Sequence, residues 1–284
     1  MSALIKPFEL LKIKAAKDLL IFDATGTPDA RQKYESKHLE GAFFVDVNTQ
    51  LADIKQNAAD GGRHPLPTLS KFSSTLGILG ITPSSHIVVY DDKNGSNAAA
   101  RFWWMLKAIG HNNVHVLDGG MEAAVSAGFP TNAKVDQSEK KEPYKIRHAD
   151  WLFQQADIQE IDKVSGDEDY LIIDVRDAFR YDGINEPIDL IAGHIPGALN
   201  IPFSSNMDST GKFLSATELK SKYDDALGGR TSDKVIVHCG SGITACHTLM
   251  AIAEAGIEMP KLYVGSWSEW SRNDRPMIIK KDES

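Results

Sequence analysis

A chain of 284 residues with 42% hydrophobic content is long enough for one large or two ordinary domains with proper cores. Its 31 basic and 39 acidic residues leave a net charge of -8, which argues against a nucleic-acid partner. No apolar stretch approaches the roughly 18 residues of a membrane span, Met1 to Lys17 lacks the apolar core of a secretory signal, and cysteine is sparse, so a soluble protein of the reducing cytoplasm is expected.

In chain order, Leu19-Leu20-Ile21-Phe22-Asp23 reads as a buried strand, followed by His38-Leu39-Glu40-Gly41-Ala42 and Phe43-Phe44-Val45. Ile87-Val88-Val89-Tyr90-Asp91 reads as a second strand, Ala98 to Ile109 as a helix, and Val116-Leu117-Asp118-Gly119 as a third strand. Thr131 to Tyr144 is polar and reads as an exposed linker. The same order then returns: Leu171-Ile172-Ile173-Asp174, His194-Ile195-Pro196-Gly197-Ala198, Leu199-Asn200-Ile201, Val235-Ile236-Val237-His238-Cys239 and Leu262-Tyr263-Val264-Gly265. Short apolar runs alternating with helical stretches predict an α/β fold made of two tandem domains, each a mainly parallel sheet with helices on both faces. The expected boundaries are 1–135 and 151–284, with a linker over 136–150.

The chemistry concentrates at Cys239-Gly240-Ser241-Gly242-Ile243-Thr244-Ala245, a strand end, a glycine-punctuated loop and a helix start. Two glycines let such a loop curl its amides inward, and the helix adds its positive end, which together favour a thiolate. Lowering a thiol pKa from about 8.5 to about 6.5 raises the thiolate at neutral pH from a few per cent to roughly three quarters, at about 2.7 kcal/mol of differential stabilisation. A helix end gives about 0.3 to 1 kcal/mol, so the amides must supply most of it. In the first half Asp91 stands where Cys239 stands in the second, so only the second half is expected to be catalytic. Cys-based phosphatases, a rival reading, need an arginine six residues after the nucleophile, and that position is Ala245. Cys246 reads as a structural residue facing its own helix core, and the Trp103-Trp104 and Trp267 to Trp270 stretches read as packing. No dinucleotide fingerprint, phosphate loop or metal-ligand spacing is present, so no cofactor and no metal are expected.

With Cys-Gly-Ser-Gly-Ile-Thr-Ala as its loop, Gly193-His194-Ile195-Pro196-Gly197-Ala198 upstream and Tyr263-Val264-Gly265-Ser266-Trp267-Ser268-Glu269-Trp270 downstream, the chain resembles the tandem rhodanese-like family over nearly its whole length. Within that family it is similar to the 3-mercaptopyruvate sulfurtransferases, because Gly240 and Ser241 are neutral where thiosulfate sulfurtransferases place basic residues. The resemblance implies sulfur transfer from 3-mercaptopyruvate to cyanide or a thiol, such as thioredoxin or a small thiol, through a Cys239 persulfide with release of pyruvate. The alternatives are a thiosulfate sulfurtransferase and a non-catalytic sulfur-relay or redox-sensing module. The resemblance also implies that Ser241 works with a His and an Asp from the first half, for which His38 and Asp29 are the matching candidates. His194, the repeat counterpart of His38, reads as structural. Arg180 falls where the family binds substrate, along with loop residues Gly240, Gly242, Ile243 and Thr244, whereas Arg176 reads as bracing its domain through an ion pair. The sequence departs from the family between Gly183 and Gly193, where a second substrate-binding arginine is usual and Glu186-Pro187-Ile188-Asp189 has none. A lost charged hydrogen bond of about 1.5 to 3 kcal/mol weakens carboxylate binding roughly tenfold to a hundredfold unless Arg101 or Arg63 compensates.

Overall fold

A computed structural model describes residues 2–147, 150–151 and 155–280. Residues 148–149 of the expected linker and 152–154 of the expected second domain lie outside the described residues.

In the first half the elements run β1 (Leu4–Ile5), α1 (Pro7–Ile13), β2 (Leu19–Asp23), α2 (Ala30–Ser36), β3 (His38–Leu39), β4 (Ala42–Phe44), α3 (Leu69–Ile78), β5 (His86–Tyr90), α4 (Ala98–Ala108), β6 (Val114–Leu117), α5 (Gly120–Ser126) and β7 (Thr131–Asn132). The second half runs β8 (Gln155–Ala156), α6 (Ile158–Val164), β9 (Leu171–Asp174), α7 (Ala178–Tyr181), β10 (Leu199–Asn200), α8 (Ala216–Leu227), β11 (Val235–His238), α9 (Thr244–Glu254), β12 (Lys261–Tyr263) and α10 (Ser266–Trp270).

The repetition in the sequence is a repetition in topology. One five-stranded sheet has the order β1-β6-β5-β2-β4 and the other β8-β12-β11-β9-β10, and every pairing in both is parallel. Their central strands are short runs of Ile, Val and Leu buried on both faces, as helix-covered parallel strands must be. In the first sheet Ile21, Val88, Tyr90 and Leu117 share a core with Leu10, Leu39 and Phe129. In the second, Ile172, Ile236 and Tyr263 share one with Ile161, Ile195, Trp267 and Trp270. Trp103 and Trp104 are also buried, so the tryptophan-rich stretches are packing residues. Helix α8 shows how local sequence sets an element: Ser215 and Glu218 form a capping box, Leu219, Tyr223 and Leu227 fall on one buried face, and Gly228 closes the helix at φ 58.

Two features were not apparent in the sequence. The stretch read as an exposed linker is tied along α3: the Ser138 hydroxyl donates to the Ile78 carbonyl at 3.0 Å, the Lys141 amide to that of Gly77 at 2.8 Å and the Tyr144 amide to that of Ser73 at 3.0 Å. Tyr144 is buried there, with its hydroxyl 3.0 Å from Nδ1 of His111. The compact units are also not contiguous in sequence. The first contains residues 1–53, 67–152 and 208–213, and the second 54–66, 153–207 and 214–284. Residues 54–66, from the first half, thus belong to the unit that carries Cys239.

Candidate active site

Cys239 directly follows β11, at the carboxyl end of the central strand, which is where parallel α/β sheets hold their ligands. Its side chain is free and the residue is 3% exposed. The turn between β12 and α10 holds the loop from beneath. The Cys239 amide donates to Ser266 Oγ at 3.2 Å, and the amides of Trp267 and Ser268 donate to the carbonyls of Cys239 and Gly240 at 3.0 and 2.9 Å. Gly242 adopts φ 72, and a Cβ there would lie 2.6 Å from the Val264 carbonyl oxygen, so only glycine lets the loop close this tightly. With the carbonyl side of the loop so occupied, the amides of Gly240, Ser241, Ile243, Thr244 and Ala245 have no hydrogen-bond partner among the described residues.

The corresponding strand end in the first unit is filled from within. The Asp91 carboxylate accepts hydrogen bonds from the amides of Lys93 and Gly95 at 2.8 Å, Asn97 at 3.0 Å and Ala99 at 3.1 Å. Burial pushes this carboxyl above its ordinary range, and the four amides offset that only in part.

Ser241 is bonded to a histidine that the sequence reading did not select. His64 Nδ1 lies 2.8 Å from Ser241 Oγ. The residues before His64 are held by α10: Gly61 donates its amide to Glu269 at 2.9 Å and Arg63 its amide to Ser268 Oγ at 3.0 Å. A Cβ on Gly62, which has φ 80, would lie 2.3 Å from the Gly265 carbonyl oxygen, so this close approach also requires glycine. The glycine pair ahead of Arg63-His64-Pro65 was the available sequence signal.

His38 was expected at Ser241, but its interactions lie elsewhere. It stacks on Tyr34 with ring centroids 4.0 Å apart, and its Nδ1 is 2.6 Å from the Tyr34 carbonyl oxygen. His194 repeats this arrangement on Tyr181, at 3.7 and 2.8 Å, and the two tyrosine hydroxyls donate to the carbonyls of Ala42 and Ala198. The shared His motif therefore anchors a loop in each unit. Asp29 stands at the start of α2, half exposed and 3.1 Å from Lys33 Nζ, so its ion pair is with Lys33 and not with His38.

Arg180 lies beside Gly240 with its guanidinium engaged by two carboxylates. Its Nε donates to Glu186 at 3.0 Å and its Nη2 to Asp189 at 3.3 Å. Burial raises the Glu186 carboxyl, but hydrogen bonds from Arg180 and from the Asp189 and Ile188 amides overcome that and hold it below its ordinary range. Arg176 braces the domain as expected, with Nη2 2.5 Å from Asp174 and the guanidinium stacked 4.6 Å over Trp267. Of the two arginines that could compensate, Arg101 is fully buried in α4, whereas Arg63 reaches the Cys239 loop. A Cβ placed on Gly240 would lie 2.9 Å from Arg63 Nη2, 3.3 Å from Arg180 Nη2 and 3.4 Å from Asp189 Oδ2. Cys246 is the other free cysteine; its thiol donates to the Gly242 carbonyl at 3.3 Å, which makes it a brace for the loop.

The rhodanese-like domain family matches this chain twice, over residues 7–127 and 157–273, and the chain belongs to that family. Its class of activity is sulfur-group transfer. It is 36% identical over 271 residues, 93% of each chain, to the "Probable 3-mercaptopyruvate sulfurtransferase" of Pseudomonas aeruginosa. It is 33% identical over 263 residues, 91% of this chain and 88% of the relative, to the thiosulfate sulfurtransferase of Gallus gallus. The solved 3-mercaptopyruvate sulfurtransferase of Leishmania major superposes with a TM-score of 0.80 at 27% identity, over 97% of this chain and 75% of that one. No helix among the described residues is long and apolar enough to cross a membrane.

Proposed function

We propose that the protein takes sulfur from 3-mercaptopyruvate. The Cys239 thiolate attacks the donor sulfur and the carbon–sulfur bond breaks, its electron pair leaving as the enolate of pyruvate. The donor's thiol proton ends on that carbon, giving pyruvate and a Cys239 persulfide. In the second step cyanide or a thiolate attacks the outer sulfur and returns Cys239 as the thiolate. The loop amides stabilise both sulfur anions, with Ile243 and Thr244 contributing at the start of α9, and Gly240 and Gly242 leave room for the donor. Arg63, together with Arg180, faces the donor carboxylate. A cytoplasmic dithiol protein of the thioredoxin type or a small thiol is the acceptor that this chemistry suits. In this reading the half with Asp91, residues 1–135, carries no nucleophile, the half spanning 151–284 does, and 136–150 joins them.

The observation that carries the choice of donor is the 2.8 Å bond between His64 and Ser241, two residues from the nucleophile. An enolate needs a proton to leave as pyruvate, whereas the sulfite released from thiosulfate is stable at neutral pH and needs none. A hydroxyl–imidazole relay beside the thiolate is useful for the first donor and idle for the second. His64 here takes the role expected of His38.

The test is turnover of the purified protein with cyanide as acceptor, following pyruvate and thiocyanate together. Equal amounts of both from 3-mercaptopyruvate, a clear kcat/KM advantage over thiosulfate, and loss of both in Cys239→Ser are expected. Thiocyanate from thiosulfate without pyruvate from 3-mercaptopyruvate would overturn the donor assignment.

A further inference from the structure

Asp189 is a carboxylate shared by three arginines at the mouth of the nucleophile loop. Its side chain is fully buried. Oδ1 accepts from Arg63 Nε at 3.0 Å and from Arg272 Nη1 at 3.2 Å, while Oδ2 accepts from Arg180 Nη2 at 3.3 Å and Arg63 Nη2 at 3.4 Å. Glu186 continues the cluster, binding Arg180 and, at 3.2 Å, Arg176, which is itself paired with Asp174. Four guanidinium groups therefore meet three carboxylates, and one positive charge is left uncompensated. The arginines reaching solvent are Arg63, with 26% of its side chain exposed, and Arg272, with 17%, against 9% for Arg180.

Such a surplus suits one kind of anion. A donor bearing a single carboxylate brings one negative charge to one positive charge, whereas a dianion leaves a charge uncompensated close to a sulfur anion. Buried and half-buried charges a few ångströms apart are weakly screened by salt, so a mismatch of one unit is expressed strongly in binding.

We propose that Asp189 is a specificity-determining residue: by cancelling one arginine beside Gly240, it tunes the donor pocket to monoanionic sulfur donors and against dianionic ones. This deepens the carboxylate-donor reading above and rests on it for the identity of the natural donor. It also accounts for the absence of the family's second arginine in Glu186-Pro187-Ile188-Asp189. Arg63 supplies the cation from another segment, and Asp189 both orients it through two of its nitrogens and limits the total charge.

The test uses two donors that carry the same kind of sulfur but differ in charge, thiosulfate (dianion) and methanethiosulfonate (monoanion), with cyanide as acceptor and thiocyanate as the readout. Asp189→Asn should raise the thiosulfate-to-methanethiosulfonate ratio of kcat/KM about tenfold, mainly through KM. Asp189→Glu, which keeps the charge, should leave the ratio near that of the wild type. Arg272→Gln, which removes a positive charge, should shift it the opposite way and decides the matter even if the Asn variant fails to fold. A purely structural role would lower both donors in parallel, so an unchanged ratio in Asp189→Asn, or in Arg272→Gln, overturns the proposal. Neither donor yields pyruvate, so this outcome is independent of whether 3-mercaptopyruvate is the natural donor.

Discussion

Two loops of the same origin end equivalent strands, one at Asp91 and the other at Cys239, and they use their backbone amides in opposite ways. At Asp91 four amides converge on a carboxylate of the same loop, so the anion is built in and the loop is a structural plug. At Cys239 five amides have no partner among the described residues, and the carbonyl side of the loop is tied to α10. The fold thus supplies by default a turn whose amides can face an anion. One residue at the strand end then decides whether the turn stabilises the fold or a reacting sulfur.

The sharpest way to break this comparison is to remove each anion in turn. Asp91→Ala strands four amide donors, two of them buried, and at about 1 to 3 kcal/mol for each unsatisfied buried group a loss of at least about 2 kcal/mol is expected. Cys239→Ala truncates one buried atom, for about 1 kcal/mol, and abolishes sulfur transfer. Denaturant midpoints measured beside thiocyanate formation check both. A stable Asp91→Ala protein would show that the plug is not structural.

The next comparison sets His64 against His38. His64→Asn and Ser241→Ala should each lower kcat with 3-mercaptopyruvate by about a hundredfold or more, the usual size of a lost proton relay. Both should leave methanethiosulfonate turnover within a few fold. His38→Gln should lower the melting temperature with kcat unchanged, and a hundredfold fall in kcat there would restore His38 as the relay.

The smallest effect concerns acid stability. Glu186 is held below its ordinary range in the folded protein. A depressed carboxyl contributes stability that is present above its unfolded pKa, about 4.3, and is lost as pH falls through the folded value. Glu186→Gln should therefore show a shallower loss of melting temperature below about pH 4 than the wild type, and an identical acid limb would remove Glu186 from that balance.

Most of the fold and the Cys239 loop were legible because their signals are local. Apolar runs of four or five residues, the repeated His-x-x-Gly-Ala segments and a Cys followed by two glycines each lie within a few positions of one another. The histidine bonded to Ser241 was not legible. His64 reaches Ser241 only because residues 54–66 belong to the other compact unit, and no periodicity in that stretch encodes its destination. His38 was selected because it sits in a recurring motif, yet the motif recurs because both copies need the same stacked Tyr–His anchor. Asp189 was not legible for another reason: an acidic residue in that segment gains meaning only from three arginines at positions 63, 180 and 272.

The placement of residues 54–66 bears on inheritance. A gene fragment that encoded only the second repeat would carry the sulfur atom but neither His64 nor Arg63, so under the mechanism proposed above an excised repeat is an incomplete catalyst. An apparently idle first repeat would then be retained for the thirteen residues it lends to its twin.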